Sequence, residues 1–186
     1  RGNIDENKYI EKIKNLKNLP QGIENSLKTE ELIQVFAKDF LSAKGSMFLG
    51  RGSSFPIALE GALKLKELSY LHAEGYPAGE MKHGPLALIE DGLPVIILAP
   101  KDKYFEKTIS NMQEVIARGG KVLLISDKHD EVINENIRFK IEMPYIDELL
   151  NPFLLTIPLQ LLAYHVALLK KCDIDKPRNL AKSVTV

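Results

Sequence analysis

Short apolar runs alternate with helical segments through the middle of the chain, and this alternation most constrains the fold. The runs, each four to six residues long, are Ser46–Leu49, Pro94–Ala99, Lys121–Ser126 and Ile137–Ile141. Between the first three lie segments with helical patterning, Pro56–His72 and Lys103–Arg118. Continuous apolar runs of this length predict strands that are buried on both faces, as in a parallel sheet covered by helices.

We therefore predict an α/β fold of three layers, α-β-α, with a doubly wound, flavodoxin-like parallel sheet. Residues 1–45 are predicted to be a helical connecting segment, in which Pro20 interrupts the first helix and Thr29 caps the next. Residues 46–171 are predicted to form the α/β domain, whose last helix runs from Asp147 to about Lys171. Residues 172–186 are predicted to form an extended polar tail.

The charge composition argues against two classes of partner. The chain has 186 residues, and because Lys plus Arg and Asp plus Glu each total 25, the net charge is zero. Proteins that hold nucleic acids by general electrostatics, or membranes by a basic face, carry an excess of positive charge. We therefore expect neither a nucleic acid nor a membrane as a partner.

Cysteine content and the longest apolar run indicate a cytoplasmic protein. The single Cys172 cannot form an internal disulfide, which fits a reducing compartment. Pro158 and two polar residues interrupt the apolar run Phe153–Leu169, so we interpret it as a core helix rather than a membrane span. The chain begins with Arg1 instead of methionine, and we expect it to be a fragment of a longer protein.

A motif rich in glycine and serine follows the first predicted strand. It reads Gly50-Arg51-Gly52-Ser53-Ser54, with Pro56 just inside the next helix. Ligands of doubly wound sheets bind beyond the carboxyl ends of the strands, so Ser53 and Ser54 are candidate substrate-binding residues beside a helix N-terminus that could attract an anion. Capping of the helix alone is an equal alternative. Because the third glycine of the dinucleotide fingerprint is absent, we expect no nucleotide cofactor.

Charged residues stand among leucines in the stretch from Gly61 to Pro85. Helical spacing places Glu60, Lys64 and Glu67 on one face, as an i,i+4 and an i,i+3 pair. His83 stands in the loop that follows. Charged groups among apolar residues are costly to bury unless they are paired or in use. The structural alternative is a solvated stripe of ordinary helix salt bridges.

Two long segments of the chain resemble one family. FLGRGSSFPIALEGALKLKELSYLHAEGYPAGEMKHGPLALI and DKPRNLAKSVTV closely resemble glucosamine-6-phosphate synthase, the glutamine–fructose-6-phosphate aminotransferase (isomerizing). The resemblance runs from the Pro20 region to Val186 and corresponds to that family's second sugar-isomerase (SIS) domain and C-terminal tail. It implies a role in converting fructose 6-phosphate and glutamine-derived ammonia to glucosamine 6-phosphate, without a metal or cofactor. The implied partners are a first SIS domain, a glutaminase domain and a second copy in a homodimer.

The resemblance also implies roles for individual residues. Glu67 matches the carboxylate that moves a proton between C1 and C2 of the sugar, and Lys64 matches a lysine that supports the enolamine oxygens. His83 matches the ring-opening histidine, which the family donates across a dimer interface. Lys182 matches the tail lysine that forms a Schiff base with the open sugar, and Ala181 beside it is a substrate-binding candidate.

Two departures from the family pattern lead us to expect that this piece is inactive alone. The family holds the sugar phosphate with a loop of the form S-x-S-G-E-T in its first SIS domain, whereas residues 99–103 at the equivalent place read APKDK. The glutaminase domain is also missing. Binding energy from a remote phosphate normally helps to position the reacting carbons, so its loss alone would suppress turnover.

Two other functions would share the fold. A non-catalytic sugar-phosphate sensor would need the phosphate loop and would have no use for a Schiff-base lysine. A related SIS isomerase or deaminase would lack the NLAKSVTV tail. Outside these motifs we interpret the remaining histidines and Cys172 as structural, surface or incidental residues and Lys66 as solvated; the histidines are His72, His129 and His165.

Overall fold

A parallel sheet of five strands forms the centre of the described part of the chain. The computed structural model describes residues 4–127, 137–144 and 146–180. The strands are β1 Gly45–Gly50, β2 His72–Pro77, β3 Pro94–Leu98, β4 Lys121–Ser126 and β5 Phe139–Glu142. They lie in the order β2-β1-β3-β4-β5, and each neighbouring pair is parallel. This is the doubly wound, flavodoxin-like order that the sequence predicts.

Helices cover both faces of the sheet. The helices are α1 Glu6–Leu27, α2 Glu30–Ala37, α3 Ser54–Ser69, α4 Phe105–Ile116 and α5 Asn151–Leu169. Successive strand residues point to opposite faces, so Phe48 of β1 lies in a core with α2, α3 and α5, whereas Met47 and Leu49 lie in a core with α4. Each face therefore buries its own apolar core, and the predicted three-layer architecture is confirmed.

The edge strand β2 corrects one prediction. The sequence pattern predicts a loop after α3, whereas His72–Pro77 pairs residue by residue with β1. The sequence HAEGYP has weak strand character, and only Ala73 within it is fully buried. Pairing with β2 satisfies the backbone groups on the otherwise open edge of the buried strand β1, so tertiary pairing overrides the local preference.

Two predictions for the N-terminal segment are wrong. Helix α1 runs through Pro20, which lies on an exposed position of the helix. A proline removes one backbone hydrogen bond and crowds the preceding turn, a cost that the packing of α1 on α5 offsets. The hydroxyl of Thr29 accepts no capping hydrogen bond from α2 and instead donates one to the carbonyl of Ser26 at 2.7 Å.

Helix α5 occupies the core position predicted for it, although it begins four residues after the predicted Asp147 start. Its length and composition would allow it to cross a bilayer, and 50% of its most apolar window is buried inside the fold. It packs on α1, α2 and α3. Nε2 of its buried His165 lies 2.9 Å from Oε1 of Glu30 in α2, which is the structural role predicted for this histidine.

Candidate active site

Two glycines shape the turn that joins β1 to α3. A Cβ on Gly50 would lie 2.3 Å from the carbonyl oxygen of Ser54, so only glycine allows this close turn. Gly52 adopts a left-handed conformation (φ 57°), and a Cβ there would lie 2.5 Å from Cε2 of Tyr104. The motif thus directs the chain from the carboxyl end of β1 into α3.

The inner face of α3 fixes which residues face outward. Gly61 lies so close to α5 that a Cβ there would be 2.7 Å from Cδ1 of Leu159. Its buried neighbours Ala58, Ala62 and Leu65 pack in the same core. Because small residues let the two helices approach, the opposite face of α3, with Lys64 and Glu67, is turned away from the core.

Lys64 and Glu67 form a direct ion pair on this outer face. Nζ of Lys64 lies 2.8 Å from Oε2 of Glu67 and 3.7 Å from Oε1 of Glu60. The side chains of Lys64 and Glu67 are 34% and 27% exposed. The predicted i,i+3 and i,i+4 pairs are therefore present, with half-buried side chains that a ligand could still contact.

The amine of Lys64 is held in its protonated form. The hydrogen bond to Glu67 raises the pKa of Lys64 above its ordinary value of 10.5, and it outweighs the opposite effect of partial burial. The charges of Glu67 and Glu60 act in the same direction as the hydrogen bond. An ammonium cannot attack a carbonyl group. In this form Lys64 is suited to stabilising negative charge on a bound group and not to forming an imine.

His83 ends the 3₁₀ segment Ala78–His83, which follows β2. Its side chain is 74% exposed, and Nε2 lies 3.9 Å from Oε2 of Glu80. Gly84 follows with φ 145°, a conformation that favours glycine. Among the described residues, no hydrogen bond or ion pair joins His83 to Lys64 or Glu67. The structure therefore brings Lys64 and Glu67 together and presents His83 to solvent on a separate element.

The two serines at the start of α3 do not cap it. Ser53 occupies the N-cap position with helical backbone angles and makes no capping hydrogen bond. Ser54 is 2% exposed, and its hydroxyl has no partner among the described residues. The capping alternative for this motif is therefore wrong, and a ligand-binding role for the serines stays a prediction.

Two aspartates that the sequence motifs do not single out lie at the same edge of the sheet. Asp102 accepts a hydrogen bond from the amide of Tyr104 at 2.8 Å, and Asp127, directly after β4, accepts one from the amide of Lys101. Burial raises the pKa of Asp102, and the charges of Glu148 and Asp127 add to this effect. Lys103 of the same loop lies with Nζ 5.0 Å from the centre of the Tyr104 ring, so this part of the edge carries charges of both signs.

The described tail returns to the end of α3. The backbone amide of Arg178 donates to the hydroxyl of Tyr70 at 2.8 Å, and its guanidinium lies 4.1 Å from the centre of the Tyr70 ring. The sequence motifs give Tyr70 no role. The predicted residues Ala181 and Lys182, as well as His129, lie outside the described residues. Within the described ranges, no cluster of three or more His, Cys, Asp or Glu side chains could hold a metal ion.

Known proteins are similar to this chain over most or all of its length. Residues 39–170 match the profile of the SIS domain. A glutamine–fructose-6-phosphate aminotransferase (isomerizing) from Bartonella quintana is 50% identical over 187 residues, which cover 100% of this chain and 31% of that protein. The protein of the same name from Salmonella typhi is 54% identical over 171 residues, which cover 92% of this chain and 28% of that protein. The chain thus spans about a third of the length of these curated relatives.

Solved structures agree with this match. The C-terminal domain of glucosamine-fructose-6-phosphate aminotransferase from Francisella tularensis has a TM-score of 0.85 and 46% identity, covering 91% of this chain and 47% of that one. A glucosamine-6-phosphate deaminase from Thermotoga maritima has a TM-score of 0.67 and 26% identity, covering 93% and 49%. The match of the domain profile to most of the chain, together with this fold, leads to one conclusion: the chain belongs to the SIS domain family.

Proposed function

We propose that this chain is the second SIS domain and C-terminal tail of a glutamine–fructose-6-phosphate aminotransferase (isomerizing). In that role it supplies catalytic groups for converting fructose 6-phosphate and glutamine-derived ammonia to glucosamine 6-phosphate. The observation that carries the proposal is the ion pair of Lys64 and Glu67 on the outer face of α3, in a chain half identical to such enzymes over its whole length.

The proposed chemistry divides among four groups. His83 moves the proton that opens the sugar ring. The neutral amine of Lys182 attacks the C2 carbonyl and expels water as an imine forms, and ammonia then displaces the lysine amine from C2. Glu67 takes a proton from C1 and returns one to C2, while the C1 hydroxyl loses its proton and the imine nitrogen gains one, which leaves an aldehyde at C1 and an amine at C2. The Lys64 ammonium balances the negative charge that develops on the sugar oxygens meanwhile.

The raised pKa of Lys64 supports this division of labour. The hydrogen bond to Glu67 raises the pKa of Lys64 and favours its ammonium form, so we assign the imine to another amine. Lys182, with the flanking residues PRNLAKSVTV, is our candidate for that amine. Ser53, Ser54 and Ala181 are proposed to contact the substrate.

Other parts of a longer protein complete the proposed site. Residues 99–103 carry no hydroxyl side chains, and they include the partly buried carboxyl of Asp102, whose pKa is raised by burial. We therefore assign the phosphate to a first SIS domain and the ammonia to a glutaminase domain. By itself the 186-residue chain is expected to turn over fructose 6-phosphate negligibly. We place the complete enzyme in the cytoplasm, in line with the single cysteine.

Exchange of the Glu67 carboxylate for an amide tests the proposal. In the full-length enzyme, Glu67→Gln keeps the side-chain shape but cannot take a proton, so amino-sugar formation should be lost while glutamine hydrolysis continues. Glu60→Gln, on the same face of α3, is the matched control and should keep most activity. If Glu67→Gln keeps most of its amino-sugar output, Glu67 is not the base. If the wild-type full-length protein binds the sugar phosphate but does not turn it over, the sensor alternative is favoured.

We also assign His83 to the active site of a second subunit. Its exposure supports this assignment, as does the lack of a hydrogen bond or ion pair between His83 and Glu67 among the described residues. Mixing full-length His83→Ala with Glu67→Gln should restore some activity, because hybrid dimers then contain one intact site. No recovery after verified subunit exchange would place both groups in the site of one subunit.

A further inference from the structure

Three loops meet around the side chain of Arg51 at the carboxyl edge of the sheet. Strands β2, β1 and β3 are neighbours and run parallel, so the loops that leave them start at the same edge. Arg51 directly follows β1, Gly79 lies in the 3₁₀ segment after β2, and Tyr104 stands between β3 and α4. Cζ of Arg51 lies 5.6 Å from the centre of the Tyr104 ring, within the range of a cation–π contact.

A glycine makes room for the guanidinium on the side of the 3₁₀ segment. A Cβ on Gly79 would lie 2.9 Å from Nη1 of Arg51 and 3.2 Å from its Cζ. Gly79 does not have a positive φ, so its backbone conformation does not call for glycine. The space that Arg51 occupies therefore favours glycine at this position.

The environment of Arg51 is unusual for a half-buried cation. Within the described ranges, no acidic side chain forms an ion pair with it. The guanidinium group is flat, always charged and more weakly hydrated than an ammonium, so it packs well on an aromatic face. Its neighbours here are the Tyr104 ring on one loop and the backbone at Gly79 on another. Arg51 thus links the loops that follow three neighbouring strands.

The 3₁₀ segment that contacts Arg51 ends at the candidate ring-opening residue. Gly79 precedes His83 by four residues in the segment Ala78–His83, a distance of roughly 8 Å along a 3₁₀ axis. Helix α4 holds the same segment at two other residues, Ala78 and Lys82. The contact at Gly79 adds support from β1, so a shift of the guanidinium would change the place of the segment and of His83.

We infer that Arg51, stacked on Tyr104, is a positioning residue that fixes the segment Ala78–His83 and so the place of the His83 ring. The inference rests on the ring-opening role proposed for His83. It gives Arg51 a role that differs from the substrate contacts proposed for the neighbouring serines. Ring opening, and not the later proton transfer between C1 and C2, is then the step that depends on Arg51.

Three variants of the full-length enzyme test this role. Arg51→Met removes the guanidinium, Arg51→Lys keeps the charge without the flat group, and Gly79→Ala places a methyl group where the guanidinium lies. Arg138→Met is the matched control, because Arg138 lies over the ring of Phe139 at 5.0 Å, on the far edge of the sheet. The measurements are glutamine hydrolysis, the melting temperature, and kcat for fructose 6-phosphate and for 5-deoxyfructose 6-phosphate, which has no C5 hydroxyl and stays open.

The inference expects kcat for fructose 6-phosphate to fall by roughly tenfold in Arg51→Met and in Gly79→Ala, because small misplacements of a catalytic group are costly. Turnover of the open analogue, glutamine hydrolysis and the melting temperature should stay close to wild type. Arg51→Lys should keep an intermediate rate, and Arg138→Met should behave like wild type. The double variant Arg51→Met/Gly79→Ala should be no slower than Arg51→Met, since the alanine then has no guanidinium to displace.

Two results would overturn the inference. Wild-type turnover of fructose 6-phosphate in Arg51→Met would show that the contact is incidental. An equal loss with both sugars, together with a lowered melting temperature, would show that Arg51 serves only the stability of the fold.

The variant His83→Ala separates these results from a failure of the proposed function. If His83→Ala turns over fructose 6-phosphate normally, the ring-opening role fails and the positioning role fails with it. If His83→Ala turns over only the open analogue while Arg51→Met is normal with both sugars, the positioning role alone is refuted.

Discussion

Nζ of Lys82 lies 2.9 Å from Oε1 of Glu114, and this ion pair ties the residue next to His83 to helix α4. At the other end of the same 3₁₀ segment, the amide of Asn111, in its hydrogen-bonded orientation, donates to the carbonyl of Ala78 at 3.2 Å. The segment is thus anchored at both ends by α4. The exposed ring of His83 therefore lies on a segment that α4 holds in place.

Glu114→Ala in the full-length enzyme tests whether this anchor matters for ring opening. If the segment loosens, turnover of fructose 6-phosphate should fall by roughly tenfold, because small misplacements of a catalytic group are costly. The analogue 5-deoxyfructose 6-phosphate cannot close to a furanose and needs no ring opening, so its turnover should be unchanged. Glu90→Ala, on an exposed turn, is the control. An equal loss with both substrates would mean that Glu114 serves the fold in general.

Lys64 should act as a permanent cation throughout the working pH range. Its pKa is raised above the ordinary 10.5 in the folded chain, so it stays protonated below that pH. On the alkaline side its ion pair with Glu67 is lost as the pH rises through the folded pKa of Lys64. Lys64→Met should therefore lower kcat at every pH from 6 to 9 without changing the shape of the profile, and Lys64→Arg should retain part of the rate. A fall in wild-type kcat between pH 6 and 9 that is absent from the Lys64→Met profile would contradict this.

The buried carboxylate of Asp147 should stabilise the packing of α1, and this stabilisation should be lost in acid. Its side chain is 6% exposed and accepts hydrogen bonds from Lys12 and from the amide of Leu149. The hydrogen bond from Lys12 holds the pKa of Asp147 below its ordinary 3.8, so the stabilisation is complete above that value and is lost as the pH falls through the folded pKa.

Asp147→Asn should accordingly lower the free energy of unfolding by about 1.5–3 kcal/mol at pH 7, the usual range for hydrogen bonds to charged groups. The difference from wild type should shrink below about pH 4. Urea unfolding at a series of pH values measures both effects, with Glu11→Gln on the exposed face of α1 as control. A difference that stays constant down to pH 2 would show that the charge is not responsible.

A larger side chain at Gly61 should separate α3 from α5. A Cβ at this position already meets Leu159 at 2.7 Å and the Phe48 ring at 3.0 Å, so Gly61→Val should destabilise the fold by about 1–3 kcal/mol through overpacking. Lys66→Ala, exposed on the same helix, should change stability little. Thermal unfolding of both variants decides the point, and a Gly61→Val protein as stable as wild type would show that the interface adjusts freely.

Much of the fold is readable from local patterns. Buried strands such as Val95–Leu98 have continuous apolar sequences, and parallel order follows from the helices between them. The pairing of Lys64 with Glu67 follows from helical spacing alone. The motifs around His83 and Lys182 are equally local, and so the sequence identifies the candidate catalytic residues.

Other features depend on groups far apart in the sequence. The strand His72–Pro77 exists because β1 offers it a backbone edge, and Pro20 stays helical because α1 packs on α5. The attachment of Arg178 to Tyr70 joins residues 108 positions apart. The sequence by itself determined the alternation of strands and helices and the helical spacing that pairs Lys64 with Glu67, since periodicity acts over a few residues; the roles of the candidate side chains stay predictions. Only the tertiary structure decided how the tail and the His83 segment are held, because those contacts form when distant elements pack and satisfy each other's polar groups.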